Sequence, residues 1–166
     1  MSVRTERVPE VRVRDLRTQD LETVIRIDAR HTGEAKPGYW SAVFGEFLGA
    51  QDARFRIGLA ADGPSGMIGY LLGEVRAFEF GSEPCGWVFG VGVDDAYARG
   101  RVASRLLAEC CRRFRDEGVG RVRTMVLRNN VPVLSFFRAN GFVAGSFVEL
   151  ELQLHPGGAV ARRGEP

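Results

Sequence analysis

An arginine–glycine–arginine triplet stands where a strand-like segment turns into a helix-like one. The triplet is Arg99, Gly100 and Arg101, inside the stretch VDDAYARGRVASRLL at residues 93–107. The first turn of a helix leaves backbone N–H groups unpaired and carries a partial positive charge, so it attracts anions. Two guanidinium groups add charged donors that suit phosphate, and a glycine lets successive N–H groups point the same way. The junction predicts a pyrophosphate site, with plain solvation of the two arginines as the alternative.

Composition excludes several other functions for this junction. The chain contains neither G-x-x-x-x-G-K-[ST] nor G-x-G-x-x-G, so the two common glycine-rich phosphate motifs are missing. Its 23 basic and 21 acidic residues are interspersed, which argues against a nucleic-acid or membrane partner. Three cysteines, two of them adjacent, fit neither a disulfide framework nor a metal site. No apolar run reaches the about 20 residues that span a bilayer, and we expect a cytoplasmic protein without a metal.

The pattern of apolar residues predicts one mixed, three-layer α/β domain, since 166 residues with 45% apolar content can bury a single core. We expect a mostly antiparallel central sheet flanked by helices, in the order β-α-α-β-β-β-α-β-α-β. The domain should span residues 11–154 between flexible tails at residues 1–10 and 155–166. Period-two or continuous apolar runs predict strands at residues 11–16, 54–62, 66–80, 85–95, 121–127 and 142–154, and helical spacing predicts helices at residues 18–31, 39–49, 103–114 and 131–140.

Two stretches resemble motifs of the GNAT superfamily of acyl-CoA-dependent N-acetyltransferases. The cofactor loop of that family runs V-x-x-x-Y-[QR]-x-x-G-x-[GA], and a second motif runs N-x-x-A-x-x-L-Y-x-x-x-G-F. The residues that carry the first are Val93, Tyr97, Ala98, Arg99, Gly100, Arg101, Val102 and Ala103, followed by Ser104, Leu106 and Leu107. Those that carry the second are Asn130, Val133, Phe136, Phe137, Gly141 and Phe142. The element order extends the resemblance over residues 11–154, and the motifs themselves cover about thirty positions.

The resemblance implies acetyl-CoA as cosubstrate. Val91 and Val93, with Gly92 between them, match the strand whose backbone pairs with the pantetheine arm and the acetyl carbonyl. That would explain why Gly86, Gly90 and Gly92 lie in one strand, where glycine is costly unless the backbone bulges or a neighbour comes close. The residues matching the pyrophosphate cradle are Ala98, Arg99, Gly100, Arg101, Val102, Ala103 and Ser104. Asn130 matches a residue that binds the pantetheine arm, and it equally suits a helix N-cap before Pro132.

Three positions depart from the family pattern. Ala98 replaces a Gln or Arg, and Arg101 replaces a Gly, whose role we expect Gly100 to take over. Phe137 replaces the tyrosine that often protonates the departing thiolate, and a phenyl ring has no proton to give.

No general base follows from the sequence. The strand GWVFGVGV carries no carboxylate, so Glu79 and Glu83 just before it are weak candidates, as are Glu149 and Glu151, and each is more often a solvated surface group. The catalytic residues therefore stay unknown. Without a clear base, an acceptor amine with a pKa near 7.8 is favoured, because its deprotonation at pH 7 costs about 1.1 kcal/mol against roughly 4.6 for a lysine.

The acceptor side of the resemblance falls on the segment ARHTGEAKPGYW. His31, Glu34, Tyr39 and Trp40 are candidate substrate-binding residues, and Glu34 is the one expected to hold a cationic acceptor. Tyr39 and Trp40 equally suit an apolar core, and His31 suits the end of a helix. The leading hypothesis is acetyl transfer to a primary amine by direct attack in a ternary complex. A CoA-binding regulatory or sensing module without turnover is the alternative, and the sequence is compatible with a homodimer.

Overall fold

The computed structural model describes residues 10–49 and 54–154. These residues form two compact units, residues 10–127 and residues 128–154, and each is described by itself. The first contains β1 (Arg12–Asp15), α1 (Leu21–Thr32), α2 (Pro37–Gly49), β2 (Arg56–Gly63), β3 (Gly66–Arg76), β4 (Cys85–Val93), α3 (Val102–Asp116) and β5 (Val122–Arg123), and the second contains α4 (Val131–Ala139). Apart from Glu10, the predicted flexible tails at residues 1–10 and 155–166 lie outside the described residues.

The five strands of the first unit form one sheet in the order β1-β2-β3-β4-β5. Every neighbouring pair is antiparallel except β4 and β5, which run parallel over two residue pairs. A two-residue turn at Pro64 and Ser65 joins β2 to β3, as the Gly- and Pro-rich segment there predicts. The mixed, mostly antiparallel sheet of the predicted fold class is confirmed.

Helices cover both faces of this sheet, which gives the first unit its three layers. Helices α1 and α2 cover one face, and the buried residues between them and the sheet are Leu16, Val24, Ile27, Trp40, Phe44, Ala60, Tyr70 and Leu72. Helix α3 covers the other face, where Phe114 is fully buried and comes close to Gly73 and Gly86. Cys110 lies in this second layer, and burial raises its pKa to about 12, so it is a core residue and not a nucleophile.

A β-bulge interrupts the pairing of β3 with β4. Leu72 pairs with Gly90 while Gly73 pairs with Val88, so Phe89 is an extra residue on β4. A bulge bends its strand and increases the local twist. Both conditions that make glycine tolerable in a strand are met in β4, because the backbone bulges and large side chains approach it closely.

The last strand predicted from the sequence is not present among the described residues. Residues 142–154 form no strand, and of the predicted strand at residues 121–127 only Val122–Arg123 is formed. Alternating apolar residues select which face of a strand would be buried, but only ladder hydrogen bonds to a neighbouring strand make the strand itself. In residues 143–154 both alternating sets of side chains are exposed. The first nine elements of the predicted order are present in their expected sequence.

The start of α1 is held by an ion-pair cluster instead of a side-chain cap. Asp20 is the N-cap residue but makes no side-chain capping bond to the first turn. Its carboxylate accepts two hydrogen bonds from Arg14 at 2.8 and 3.0 Å and one from the Arg17 N–H at 2.7 Å. On its other side Arg14 binds Asp62 of β2 at 2.7 and 2.9 Å. The cluster ties β1 and β2 to the entry of α1.

Candidate functional site

One edge of β4 is open over most of its length. Among the described strands, β5 is the neighbour of β4 on this side, and it pairs only with Gly86 and Trp87. The Asp94 N–H donates to the Ile68 carbonyl at 2.8 Å, which fixes the alternation of the β3–β4 ladder. It follows that Val91 and Val93 direct their N–H and C=O groups away from β3.

Gly92 lies between these two valines and faces the other way. It is paired with Tyr70 across the ladder, so its own N–H and C=O groups point toward β3. The open edge thus offers the N–H and C=O of Val91 and the N–H of Val93, the two residues predicted to pair with a ligand, whereas Gly92 offers no edge group.

The end of β4 is tied to α1. The Nε2 of His31 lies 2.8 Å from the Val93 carbonyl oxygen, and because a carbonyl only accepts, Nε2 must donate. Asp94 accepts hydrogen bonds from the Ala96 N–H and from the side chains of Arg26 and Arg30, each at 3.2 Å. These donors hold the pKa of Asp94 below its ordinary value against the opposing effect of burial. His31, a predicted acceptor-site residue, is therefore anchored at the strand edge.

After the eight residues 94–101 that follow β4, the chain enters α3 through an uncapped helix terminus. Arg101 is the N-cap residue, makes no side-chain capping bond, and no acidic residue lies in the first turn. The first intrahelical bond runs from the Arg105 N–H to the Arg101 carbonyl at 3.0 Å. The N–H groups of Val102, Ala103 and Ser104 precede that bond and stay available. The side chains of Arg99 and Arg101 are exposed beside them. Unpaired donors, the helix dipole and two cations together suit a diphosphate.

Arg101, and not Gly100, adopts the left-handed conformation in this turn. Its φ is +57°, whereas Gly100 is not among the residues with positive φ. The Gly100 N–H donates to the Tyr97 carbonyl at 2.9 Å, and a Cβ at this glycine would lie 3.2 Å from the same oxygen. The Ala98 N–H is likewise used inside the turn, donating to the Asp95 carbonyl at 3.3 Å. The left-handed backbone of this turn is therefore taken by Arg101 itself. The expectation that Gly100 takes over the phosphate-contacting role of the family glycine stays a prediction.

Replacing Arg101 by glycine is expected to stabilise the protein. A side chain at positive φ costs roughly 1–2 kcal/mol, and glycine avoids most of that cost while adding some entropy to the unfolded chain. The net gain should be about 1 kcal/mol or less in urea unfolding. The matched control is Arg99→Gly, since Arg99 is not at positive φ, and this variant should be slightly destabilised. Equal effects of the two substitutions would show that the turn at position 101 stores no strain.

A cavity of about 330 Å³ opens between α1, α2 and β4. It is lined by Asp28, Lys36, Tyr39, Trp40, Tyr70, Phe89, Gly90 and Val91. The Asp28 carboxylate accepts from the Lys36 ammonium at 2.9 Å and from the Trp40 indole N–H at 3.0 Å. The cavity therefore brings an anchored carboxylate to the strand whose edge is open at Val91.

Tyr70 crosses from β3 over β4 toward this cavity. A Cβ added at Gly92 would lie 2.6 Å from Tyr70 Cε1 and 3.0 Å from Cζ, so the ring rests directly on the glycine. The residue is 2% exposed, and its hydroxyl makes no hydrogen bond to another group in residues 10–49 or 54–154. Burial, and after it the charge of Asp28, raises the pKa of Tyr70 well above its ordinary value. The hydroxyl thus faces the cavity as a neutral, unpaired donor.

Replacing Gly92 by alanine is expected to destabilise the protein by about 1–3 kcal/mol, the usual cost of overpacking a core. The new methyl group would meet Tyr70 and also Ile27, whose Cγ2 lies 3.0 Å from the Cβ position. Gly90→Ala is the matched control on the same strand, because its Cβ would approach no atom closer than 3.3 Å. Chemical unfolding measures the stability of both variants. A Gly92 variant as stable as the Gly90 variant would contradict the close packing of the Tyr70 ring.

The predicted substrate residues divide between the cavity and the surface. Tyr39 and Trp40 line the cavity. Trp40 also belongs to the buried core, whereas Tyr39 is exposed, so the core interpretation holds for Trp40 alone. The substrate-binding roles of both residues stay predictions. Glu34 is exposed and is not a lining residue. Sequence reasoning missed Asp28 and Lys36. A signal was available, since Asp28 follows Val24 by one helical turn on the inward face and Lys36 is the chain's only lysine.

The structure adds no support for a general base among the glutamates considered in the sequence analysis. Glu83 is exposed, as are Glu149 and Glu151 in the second unit. The side chain of Glu79 lies outside what the structure describes.

Within the second unit, the two motif residues have structural partners. The Asn130 side chain accepts from the Val133 N–H at 3.3 Å, so it is the N-cap of α4, as one of its two interpretations predicts. The Phe137 ring makes edge-on contacts with Phe136 and Phe142, each with ring centres 5.0 Å apart. The binding roles that the resemblance implies for Asn130 and Phe137 stay predictions.

No helix in residues 10–49 or 54–154 has the length and apolar content that a membrane crossing needs. In the same ranges, no three His, Cys, Asp or Glu side chains come together in a way that would hold a metal ion.

Comparison with known proteins supplies relatives for this fold. The sequence profile described as "Acetyltransferase (GNAT) family" matches residues 19–142. The aminoglycoside N-acetyltransferase AAC(6')-Iy, solved in complex with CoA, superposes with a TM-score of 0.74 at 17% identity, covering 90% of this chain and 98% of that chain. For AAC(6')-IG from Acinetobacter haemolyticus the TM-score is 0.71 at 16% identity, and the superposition covers 87% of this chain and 99% of that chain. A transcriptional regulator from Bacillus halodurans C-125 superposes with a TM-score of 0.71 at 19% identity, covering 87% of this chain and 100% of that chain. No curated protein matches the sequence significantly.

Proposed function

Because the chain belongs to the acetyltransferase (GNAT) family, we propose that it is an N-acetyltransferase that moves the acetyl group of acetyl-CoA to a primary amine. The observation that carries the proposal is the continuity of two binding surfaces. The open edge of β4 leads, through the eight-residue segment 94–101, into the uncapped N-terminus of α3. An extended arm ending in a diphosphate would match both surfaces at once. A structural relative with this fold, AAC(6')-Iy, is solved in complex with CoA.

The residues present fit the two halves of such a cosubstrate. The backbone N–H and C=O of Val91 and the N–H of Val93 can pair with the amide groups of the pantetheine arm, as an added strand pairs with a sheet edge. The first-turn N–H groups of α3 and the guanidinium groups of Arg99 and Arg101 suit the diphosphate. Asn130 and Phe137 are carried over from the family pattern as further groups beside the pantetheine arm.

Acetyl-CoA supplies an activated acetyl group as a thioester. In direct attack, the amine nitrogen forms a bond to the carbonyl carbon, the C–S bond breaks, and its electron pair leaves with sulfur. An acceptor bound as its ammonium first gives one proton to water, because only the neutral amine can attack. After the attack the nitrogen loses a second proton, which the departing thiolate or water takes up, and the thiolate leaves readily because the pKa of a thiol is only about 8.5. The absence of a tyrosine hydroxyl at Phe137 is therefore compatible with turnover. The cavity at Asp28 and Val91 is where we place the amine.

A turnover assay with a panel of primary amines tests this function. Thiol release and the mass of the acetylated amine are measured together, alongside calorimetric titration of acetyl-CoA. We expect at least one amine to be acetylated well above the rate of thioester hydrolysis. Saturable acetyl-CoA binding without turnover over a broad panel would instead favour a CoA-sensing module. The absence of binding at millimolar acetyl-CoA would overturn the proposal.

A further inference from the structure

We propose that Asp28 is the carboxylate that receives the ammonium group of the acceptor, and that the Lys36 side chain occupies this position until the acceptor displaces it. The class of acceptor that the cavity favours is a primary ammonium on an apolar or aromatic body. This inference rests on the proposed acetyl transfer and specifies the amine side of the reaction.

The Asp28 carboxylate is oriented by a hydrogen bond from Trp40, which does not depend on Lys36. Its Oδ2 accepts from the indole N–H of Trp40, which is 3% exposed and belongs to the core. The Asp28 side chain itself is 13% exposed, and its charge needs a partner because an unpaired, partly buried carboxylate is costly. Oδ1 makes no hydrogen bond within the described part of the chain. The carboxylate is thus oriented by the core and keeps one oxygen for a ligand.

The Lys36 ammonium is a replaceable partner for this carboxylate. Its other hydrogen bond, at 2.9 Å, goes to the hydroxyl of Thr32, and its side chain is 36% exposed. Lys36 lies just before α2, and lysine carries its charge on a flexible four-carbon stem. When one ammonium replaces another, Asp28 remains paired throughout. The chain's single lysine thus presents a primary ammonium in the cavity where the acceptor amine is expected.

The remaining walls select the body that carries the ammonium. Four of the eight lining residues are aromatic, and Asp28 is the single carboxylate among them. Aromatic faces attract a cation and pack against apolar groups. A molecule with several positive charges would find no second carboxylate here. The unpaired hydroxyl of Tyr70 adds one polar contact for the acceptor.

The position of the cavity connects this ammonium site to acetyl transfer. Gly90 and Val91 of β4 line it together with Asp28. Val91 is also the residue whose N–H and C=O groups face the open edge. An amine held at Asp28 therefore lies in the cavity that adjoins the strand proposed to pair with the pantetheine arm.

The experiment compares Asp28→Asn and Lys36→Met with the parent, using phenethylamine as the acceptor and spermidine as a polycation. The control is Glu22→Gln, an exposed carboxylate on the same helix. Asp28→Asn should raise the KM for phenethylamine tenfold or more, with the Kd for acetyl-CoA unchanged. Lys36→Met should lower that KM severalfold. The parent should favour phenethylamine over spermidine in kcat/KM.

A binding measurement keeps this test independent of turnover. Trp40 donates to Asp28, so its fluorescence should respond to phenethylamine, and a Trp87→Phe background removes the other of the two tryptophans. Both Asp28→Asn and Glu22→Gln are compared in this background. An unchanged amine affinity in Asp28→Asn, or a weaker one in Lys36→Met, overturns the inference even if acetyl transfer is observed. Failure of the proposed function appears differently, as a parent protein that binds no acetyl-CoA and releases no thiol.

Discussion

Replacing Arg14 by leucine is expected to lower the free energy of unfolding by about 3 kcal/mol, because it leaves two carboxylates without their cation. The Arg14 side chain is 13% exposed and that of Asp20 only 5%. Arg14 binds Asp20 and Asp62 through two hydrogen bonds each. Asp62 is 32% exposed and recovers some solvation, so we expect the lower end of the range for a broken buried pair. Urea unfolding at pH 7 measures the difference.

The difference in unfolding free energy between the parent and Arg14→Leu should depend on pH. Burial acts to raise the pKa of Asp20, but hydrogen bonds from Arg14 and from the Arg17 N–H outweigh it and hold that pKa below its ordinary value. A carboxylate with a lowered folded pKa contributes stability above its unfolded pKa of about 3.9 and loses it as the pH falls through the folded pKa. The gap between parent and Arg14→Leu should therefore narrow below about pH 4. Arg12→Leu, an exposed position on the same strand, should have little effect. A gap that widens with acid would contradict this account of the cluster.

The double variant Arg99→Ala, Arg101→Ala is expected to bind acetyl-CoA tenfold or more weakly than the parent. Each guanidinium can donate charged hydrogen bonds with a net value of about 1.5–3 kcal/mol, and tenfold in affinity corresponds to about 1.4 kcal/mol. Both side chains are exposed, so removing them should leave the fold intact. Calorimetric titration at low and moderate salt measures the Kd, and the difference should shrink as salt screens the charges.

Arg115→Ala provides the matched control for the double variant. Arg115 is an exposed arginine of the same helix, but it lies in the last turn of α3, away from the unpaired N–H groups. It should change the Kd for acetyl-CoA less than twofold. Equal weakening by Arg115→Ala and by the double variant would indicate that overall charge, and not the α3 N-terminus, attracts the diphosphate.

Most of the fold could be predicted because its signals are local. The alternation around Val13, the helical rhythm of α3 and the turn at Pro64 each determine a structure within a few residues. The final strand could not, because a ladder partner is a long-range property that alternation does not encode. Similarly, the glycines of β4 indicate a close approach, but which neighbour approaches depends on tertiary packing. At Gly92 the neighbour is Tyr70.

The parts of the candidate site that could be predicted are those that lie in contiguous sequence motifs. The edge valines and the α3 terminus follow from sequence order, because a strand, a turn and a helix N-terminus are contiguous there. Asp28 and Lys36 were not predicted, because the cavity that they line forms where α1 and the start of α2 meet β4. A carboxylate on the inward face of an amphipathic helix is the residue-level sign of such a site, since a buried charge needs a partner.

Backbone amide NMR of the full chain during titration with acetyl-CoA can locate acetyl-CoA along β4 and its diphosphate at α3. We expect saturable shifts of the N–H signals of Val91, Val93 and the first turn of α3. The Gly92 N–H, already bonded toward β3, should move less. Saturable binding that leaves the Val91, Val93, Ala103 and Ser104 signals in place would exclude β4 and the α3 N-terminus as the acetyl-CoA site.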